Sequence, residues 1–191
     1  MPLPLRLRSF GLSLLALGTS LSLSSCSKSD SDASSSLFIN FGPGEGHDLR
    51  TGTNLPMGPT DPTDWTLDGK WNTTEQKLFQ SLGLDLNGPV QNPGKISTAG
   101  YPNPAIGAFR FSYSSWQSPQ AVRCKVVVVN QVYQPLIEAT SPGLSPNQEF
   151  QFDISGSSFR RGQLYRVYYV MYHGTTLYHK GHGDIKIEEN H

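Results

Sequence analysis

From Lys95 onward the chain alternates short β-forming runs with turn residues, and no stretch there carries a 3.6-residue apolar period. Phe109, Phe111 and Tyr113 alternate with Arg110, Ser112 and Ser114. Val122 to Val129 is rich in β-branched residues, and Val132 to Thr140 follows an Asn130-Gln131 turn signal. Phe150, Phe152 and Ile154 alternate with Gln151 and Asp153. Leu164 to Tyr172 is long and aromatic, and Leu177–His179 and Ile185–Ile187 bring the count to about seven strands. Strands spaced about 8–12 residues apart, with Gly, Pro, Ser and Asn between them, predict a mainly β fold, an antiparallel β-sandwich over residues 95–191. Leu164–Tyr172 is expected at its centre, because both of its faces are apolar or aromatic.

Residues 37–94 read differently. LFINF (37–41) is expected to form a short first strand. The segment FGPGEGHDLRTGTNLPMGPTDPTDW is dense in Gly, Pro, Thr and Asp, which punctuate turns. Between Thr73 and Asp85, Leu78, Phe79 and Leu82 fall on one face. The pattern predicts one helix of about ten residues, capped by Thr73 or Thr74 and packing on Trp65 or Trp71.

The N-terminus carries an address. Arg6 and Arg8 precede an uncharged apolar stretch, Phe10–Leu23, that is too short to span a bilayer. Residues 1–25 are therefore expected to be a signal peptide. The following Leu23-Ser24-Ser25-Cys26 resembles the lipobox of bacterial lipoproteins, which implies diacylation (palmitate-type chains) of the Cys26 thiol and attachment to the membrane through that lipid. Residues 26–36 then form a Ser/Asp tether. Its start, SKSDSD, resembles lipoprotein export signals of the Bacteroidetes, which implies an outer-membrane location with exposure at the cell surface.

Charge and cysteine usage narrow the partners. Two of the 15 basic residues and none of the 15 acidic ones lie in residues 1–25, leaving the remainder at net −2 with no basic stripe. Nucleic acid is excluded as an expected partner, since its binding requires clustered Lys and Arg. The only other cysteine, Cys124, shares a strand face with Val122, Val126 and Val128 and is expected to be a small buried apolar side chain.

Tyr101-Pro102-Asn103-Pro104, opening a C-terminal block of about 90 residues, resembles the start of the sorting domain of the Bacteroidetes type IX secretion system. The run VRCKVVVVNQVYQPLI (122–137) and Gly162 ahead of Tyr165 are similar to later parts of that family. The resemblance implies a seven-stranded immunoglobulin-like sandwich. The prolines fix φ and remove donors, so YPNP is expected to form a rigid corner before the first strand. Here the chain closes GHGDIKIEENH, unlike the family's Lys- and hydrophobe-rich end. A type IX sorting module is the alternative to the lipoprotein reading.

Other constellations select no chemistry. His173, His179 and His182 read as exposed histidines of a hairpin rather than zinc ligands. Asp61, Asp64 and Asp68 read as turn residues rather than a calcium loop. Gly42-Pro43-Gly44-Glu45-Gly46 lacks the Lys-Ser/Thr of a phosphate loop, and no GxSxG is present. Trp116, Tyr168, Tyr172 and Tyr178 could form a sugar-stacking platform, although tyrosines in a long strand more often pack across strands. The expectation is a non-enzymatic lipoprotein without catalytic residues, cofactor or metal, displaying a sandwich for binding or envelope assembly to a protein or glycan partner. A carbohydrate-binding module is a further alternative.

Overall fold

The computed structural model describes residues 38–42, 46–91, 95–116 and 121–188. All of them belong to one compact unit. The expected signal peptide, Cys26 and the expected tether lie outside the described residues.

Seven antiparallel strands form the two sheets of an immunoglobulin-like sandwich. They are β1 (Lys95–Ile106), β2 (Ala108–Trp116), β3 (Arg123–Val129), β4 (Pro135–Thr140), β5 (Asn147–Asp153), β6 (Leu164–His173) and β7 (Thr176–Lys186). One sheet has the order β1-β2-β5 and the other β4-β3-β6-β7. Alternation builds the interior. Phe109, Phe111 and Tyr113 of β2 and Phe150 and Phe152 of β5 face Cys124, Val126 and Val128 of β3 and Tyr165, Val167, Tyr169 and Met171 of β6. Cys124 is fully buried there.

A second core covers the outer face of the four-stranded sheet. Val127, Val129, Tyr168, Val170 and Leu177 meet Ile39, Trp71, Phe79 and Leu86 from the segment ahead of the sandwich. Both faces of β3 and β6 are therefore buried, which is why their sequences run apolar without alternation. β6 lies between β3 and β7, as its composition predicted.

Several elements differ from the sequence reading. Residues 38–42 form no strand; Ile39 donates one backbone bond to Gln131 (2.8 Å). The helix is only five residues, α1 (Thr73–Lys77), followed by a 3-10 turn at Gln80–Leu82. Its cap is Asn72, whose Oδ1 accepts from the Thr74 and Glu75 amides at 2.8 and 3.0 Å, while Glu75 closes a capping box. Residues 130–134 form a turn, so β4 begins at Pro135 rather than Val132. Leu177–His179 and Ile185–Lys186 belong to one continuous strand, β7, while Ile187 makes an isolated bridge to Ala105; the count of seven is completed instead by β1, whose Gly and Pro disguised it.

YPNP lies inside β1, not before it. Both of its X-Pro bonds are cis. Pairing with β2 runs from Lys95 to Tyr101 and resumes at Ile106. The released Asn103, fully buried, uses its side chain on the other sheet, donating to the Asp184 carbonyl (2.8 Å) and accepting from the Lys186 amide (2.9 Å). YPNP is thus the point where β1 leaves β2 and fastens to β7.

Candidate functional site

An open groove of about 380 Å³ lies between the β3–β4 turn and the loop that precedes β6. The first wall is held by Asn130. Its Oδ1 accepts from the Val132 and Gln134 amides at 3.1 and 3.0 Å, and its Nδ2 donates to Gln134 Oε1 at 3.0 Å. This self-bonding is typical of an Asn turn, and it lets Tyr133 adopt φ +61° while stacking on Tyr168.

The second wall hangs from Tyr165, near the start of β6. Its hydroxyl donates to the Ser158 carbonyl (3.1 Å) and accepts from the Arg160 amide (2.6 Å), forming a tyrosine corner. Phe159 packs on the same ring with centroids 5.0 Å apart. Gly162, at φ +71°, turns the chain and donates to the Ile187 carbonyl (2.8 Å). The polar residues lining the groove include Gln131, Gln134, Ser157, Ser158, Arg160 and Gln163, and the apolar ones are Val132, Leu136 and Leu164. Among the described residues, Arg160 is the sole charged one in the lining.

The aromatic residues are not brought together. Tyr168 is fully buried in the second core, whereas Trp116 stands half-exposed at the end of β2 in the other sheet. Tyr172 packs on the second core and Tyr178 on the first. The four rings therefore form no sugar platform, in line with the cross-strand packing favoured for the tyrosines.

The histidines also differ from expectation. His173 is exposed beside the β6–β7 turn, but His179 and His182 are partly covered by residues 63–68. His182 Nδ1 lies 2.8 Å from Asp68 Oδ2, which also accepts from Trp71 Nε1 at 2.7 Å. His179 stacks on Tyr169 with centroids 5.8 Å apart, and burial holds its pKa down to about 4.

The aspartates fasten the segment ahead of the sandwich to β7. Asp64 accepts from the amides of Asp184 (3.1 Å) and Asp48 (3.3 Å), and Asp48 accepts from the Asp61 amide (2.6 Å). Burial, with Asp184 nearby, pushes Asp64 up to about 9. Asp184 forms a two-pronged pair with Arg166, at 2.8 and 2.7 Å. Among the described residues, no group of three or more His, Cys, Asp or Glu side chains could hold a metal ion. Burial raises the Cys124 thiol well above its ordinary value, leaving it a packing residue.

The groove was not read from the sequence. Its amides follow no period, and the only hint was SGSSFRRGQ (155–163), a polar loop with two adjacent arginines and no acid.

The fold places the protein among immunoglobulin-like β-sandwiches. No family model matches the chain, and no curated protein matches it. Among solved structures, it is similar to the extracellular region of rat CD45, domains d3–d4. That alignment covers 93% of this chain and 82% of the other at 10% identity, with a TM-score of 0.36, too distant to carry an argument.

Proposed function

We propose that the protein is a non-enzymatic lipoprotein, anchored in the outer membrane through lipid on Cys26, that displays its β-sandwich for binding or assembly at the cell envelope. The observation that carries this reading is the order of features along the chain. A charged and then apolar leader ends at L-S-S-C, a Ser/Asp-rich stretch follows to Ser36, and the described part of the compact unit comes after it, from Phe38. Acyl chains contribute about 0.8 kcal/mol per buried CH₂, so more than one chain on Cys26 would hold the protein firmly.

Packing supports this reading over a type IX sorting module. A detachable C-terminal module would carry its own core, whereas here Trp65, upstream of the strands, is part of the inter-sheet core. Residues Ile39, Trp71, Phe79 and Leu86 likewise cover the outer face.

Cys26→Ala tests the anchor. The variant should remain an uncleaved precursor or lose its lipid and leave the detergent phase; normal processing and unchanged partitioning would refute it. Protease treatment of intact cells, followed with an antibody to the sandwich, then distinguishes surface from periplasm.

A further inference from the structure

The groove between the β3–β4 turn and the loop before β6 has the chemistry of a specific binding site. Its hydrogen-bonding capacity lies in side chains. The walls use backbone groups internally, Asn130 with Gln134 (3.1 Å), Tyr133 with Asn130 (3.0 Å) and Gln163 with Arg160 (3.2 Å). Neither the turn nor the loop therefore offers an incoming peptide a run of open backbone groups to pair with.

What is offered instead is carboxamide and hydroxyl. A primary carboxamide presents a donor and an acceptor side by side, which matches adjacent hydroxyls on a sugar ring. Gln131 and Gln163 are exposed on opposite walls, and Ser157 and Ser158 add hydroxyls. Val132 and Leu164 supply apolar surface for the C–H face of a ring.

Arg160 adds a positive charge to this polar lining. It is exposed, and among the described residues it has no ion-pair partner and no carboxylate lines the groove. Its planar fork matches a carboxylate through two parallel hydrogen bonds. The Tyr165 ring is buried, so the groove lacks the open aromatic face on which a neutral sugar would stack.

We propose that this groove binds an acidic saccharide, a uronate-containing glycan, with Arg160 pairing to the carboxylate and Gln131 and Gln163 bonding the ring hydroxyls. This specifies the binding role proposed above and rests on that reading for its setting at the envelope; the contact itself needs no membrane.

The test is a titration of the full chain in detergent micelles, following glutamine side-chain amide signals by nuclear magnetic resonance. The probes are tetrasaccharides of hyaluronan, oligogalacturonate and alginate, with maltotetraose and tetraglutamate as comparators. At least one uronate tetrasaccharide should bind and shift the Gln131 and Gln163 signals. Maltotetraose and tetraglutamate should bind about tenfold more weakly or worse, and Arg160→Gln should weaken the uronate by about tenfold or more. Arg160 is exposed, so its variant should keep the remaining spectrum intact. Failure of all three uronates, equal binding of either comparator, or full binding by Arg160→Gln would overturn the proposal. Cys26→Ala, run in parallel, should bind as the parent does. Loss of anchoring in that variant thus tests the lipoprotein reading separately from the groove.

Discussion

Trp65 and Gly183 occupy one space: a Cβ built on Gly183 would overlap the indole of Trp65, and one on Gly100 would meet the same ring from the other sheet. The ring fills the seam between β1 and β7. The Trp65 amide donates to the His182 carbonyl (2.7 Å), and its own carbonyl accepts from Thr98 Oγ1 (2.7 Å). Glycine in a strand here marks close approach of another group rather than a turn. Gly183→Ala should cost about 1–3 kcal/mol through overpacking, and Trp65→Ala about 3–5 kcal/mol through lost burial and a cavity. The double variant should cost less than the sum, because each change relieves the other. Trp65→Phe should be milder than Trp65→Ala, since the indole Nε1 meets no acceptor among the described residues. Urea unfolding midpoints at constant slope measure all four.

A charged pair lies one residue further along β7. Arg166 and Asp184 are both buried, and Arg166 also donates to the Asn40 carbonyl (3.0 Å). Asp184→Ala should cost about 3–5 kcal/mol, because it strands a buried guanidinium. Arg166→Met combined with Asp184→Leu should cost less than either single change. An additive double variant in chemical denaturation would contradict a coupled pair.

The sandwich was largely legible because burial writes itself as alternation. Phe109, Phe111 and Tyr113 announced a half-buried strand, and the unbroken valines of β3 announced one buried on both faces. The misses share a physical origin. Gly181 and Gly183 looked like turn residues, yet they sit in mid-strand where Thr66 and Trp65 press close. Pro102 and Pro104 looked like a corner outside the sheet, yet they mark where β1 changes partner. Contacts between distant segments decide both cases, and local pattern does not carry them. The groove was less legible still, since only the tertiary fold brings Gln131 and Gln163 to its two walls.

The groove depends on the tyrosine corner for its second wall. Tyr165→Phe keeps the buried ring but removes the oxygen that joins the Ser158 carbonyl to the Arg160 amide. The expected cost is about 1–3 kcal/mol, that of leaving buried or partly buried backbone groups unsatisfied. Hydrogen exchange at the Arg160 amide should accelerate, while amides of the Asn130 turn on the opposite wall should keep their rates. Equal acceleration on both walls would mean that the hydroxyl supports the whole fold rather than this loop.

His179 supplies a pH signature. Its pKa falls from 6.5 to about 4 on folding, because burial against Tyr169 and residues 63–68 disfavours the charged ring. Between those values the unfolded chain binds more protons than the folded one, so this residue makes stability rise with pH across the window. The stabilising difference is fully present above 6.5 and is lost as pH falls toward 4. His179→Phe keeps a ring on Tyr169 and removes the titration. The stability of the parent relative to this variant should therefore climb by up to about 1.4 kcal/mol per pH unit within the window and stay level outside it. Asp64 has the opposite sign. Its pKa rises from 3.8 to about 9 on folding, so its contribution is fully present below 3.8 and disappears as pH rises toward 9. Asp64→Asn should thus show a difference from the parent that slopes the other way and extends well above neutrality. Denaturant titrations of the three proteins at intervals from pH 4 to 9 separate the two residues, and a His179→Phe difference independent of pH would show that this ring titrates alike in both states.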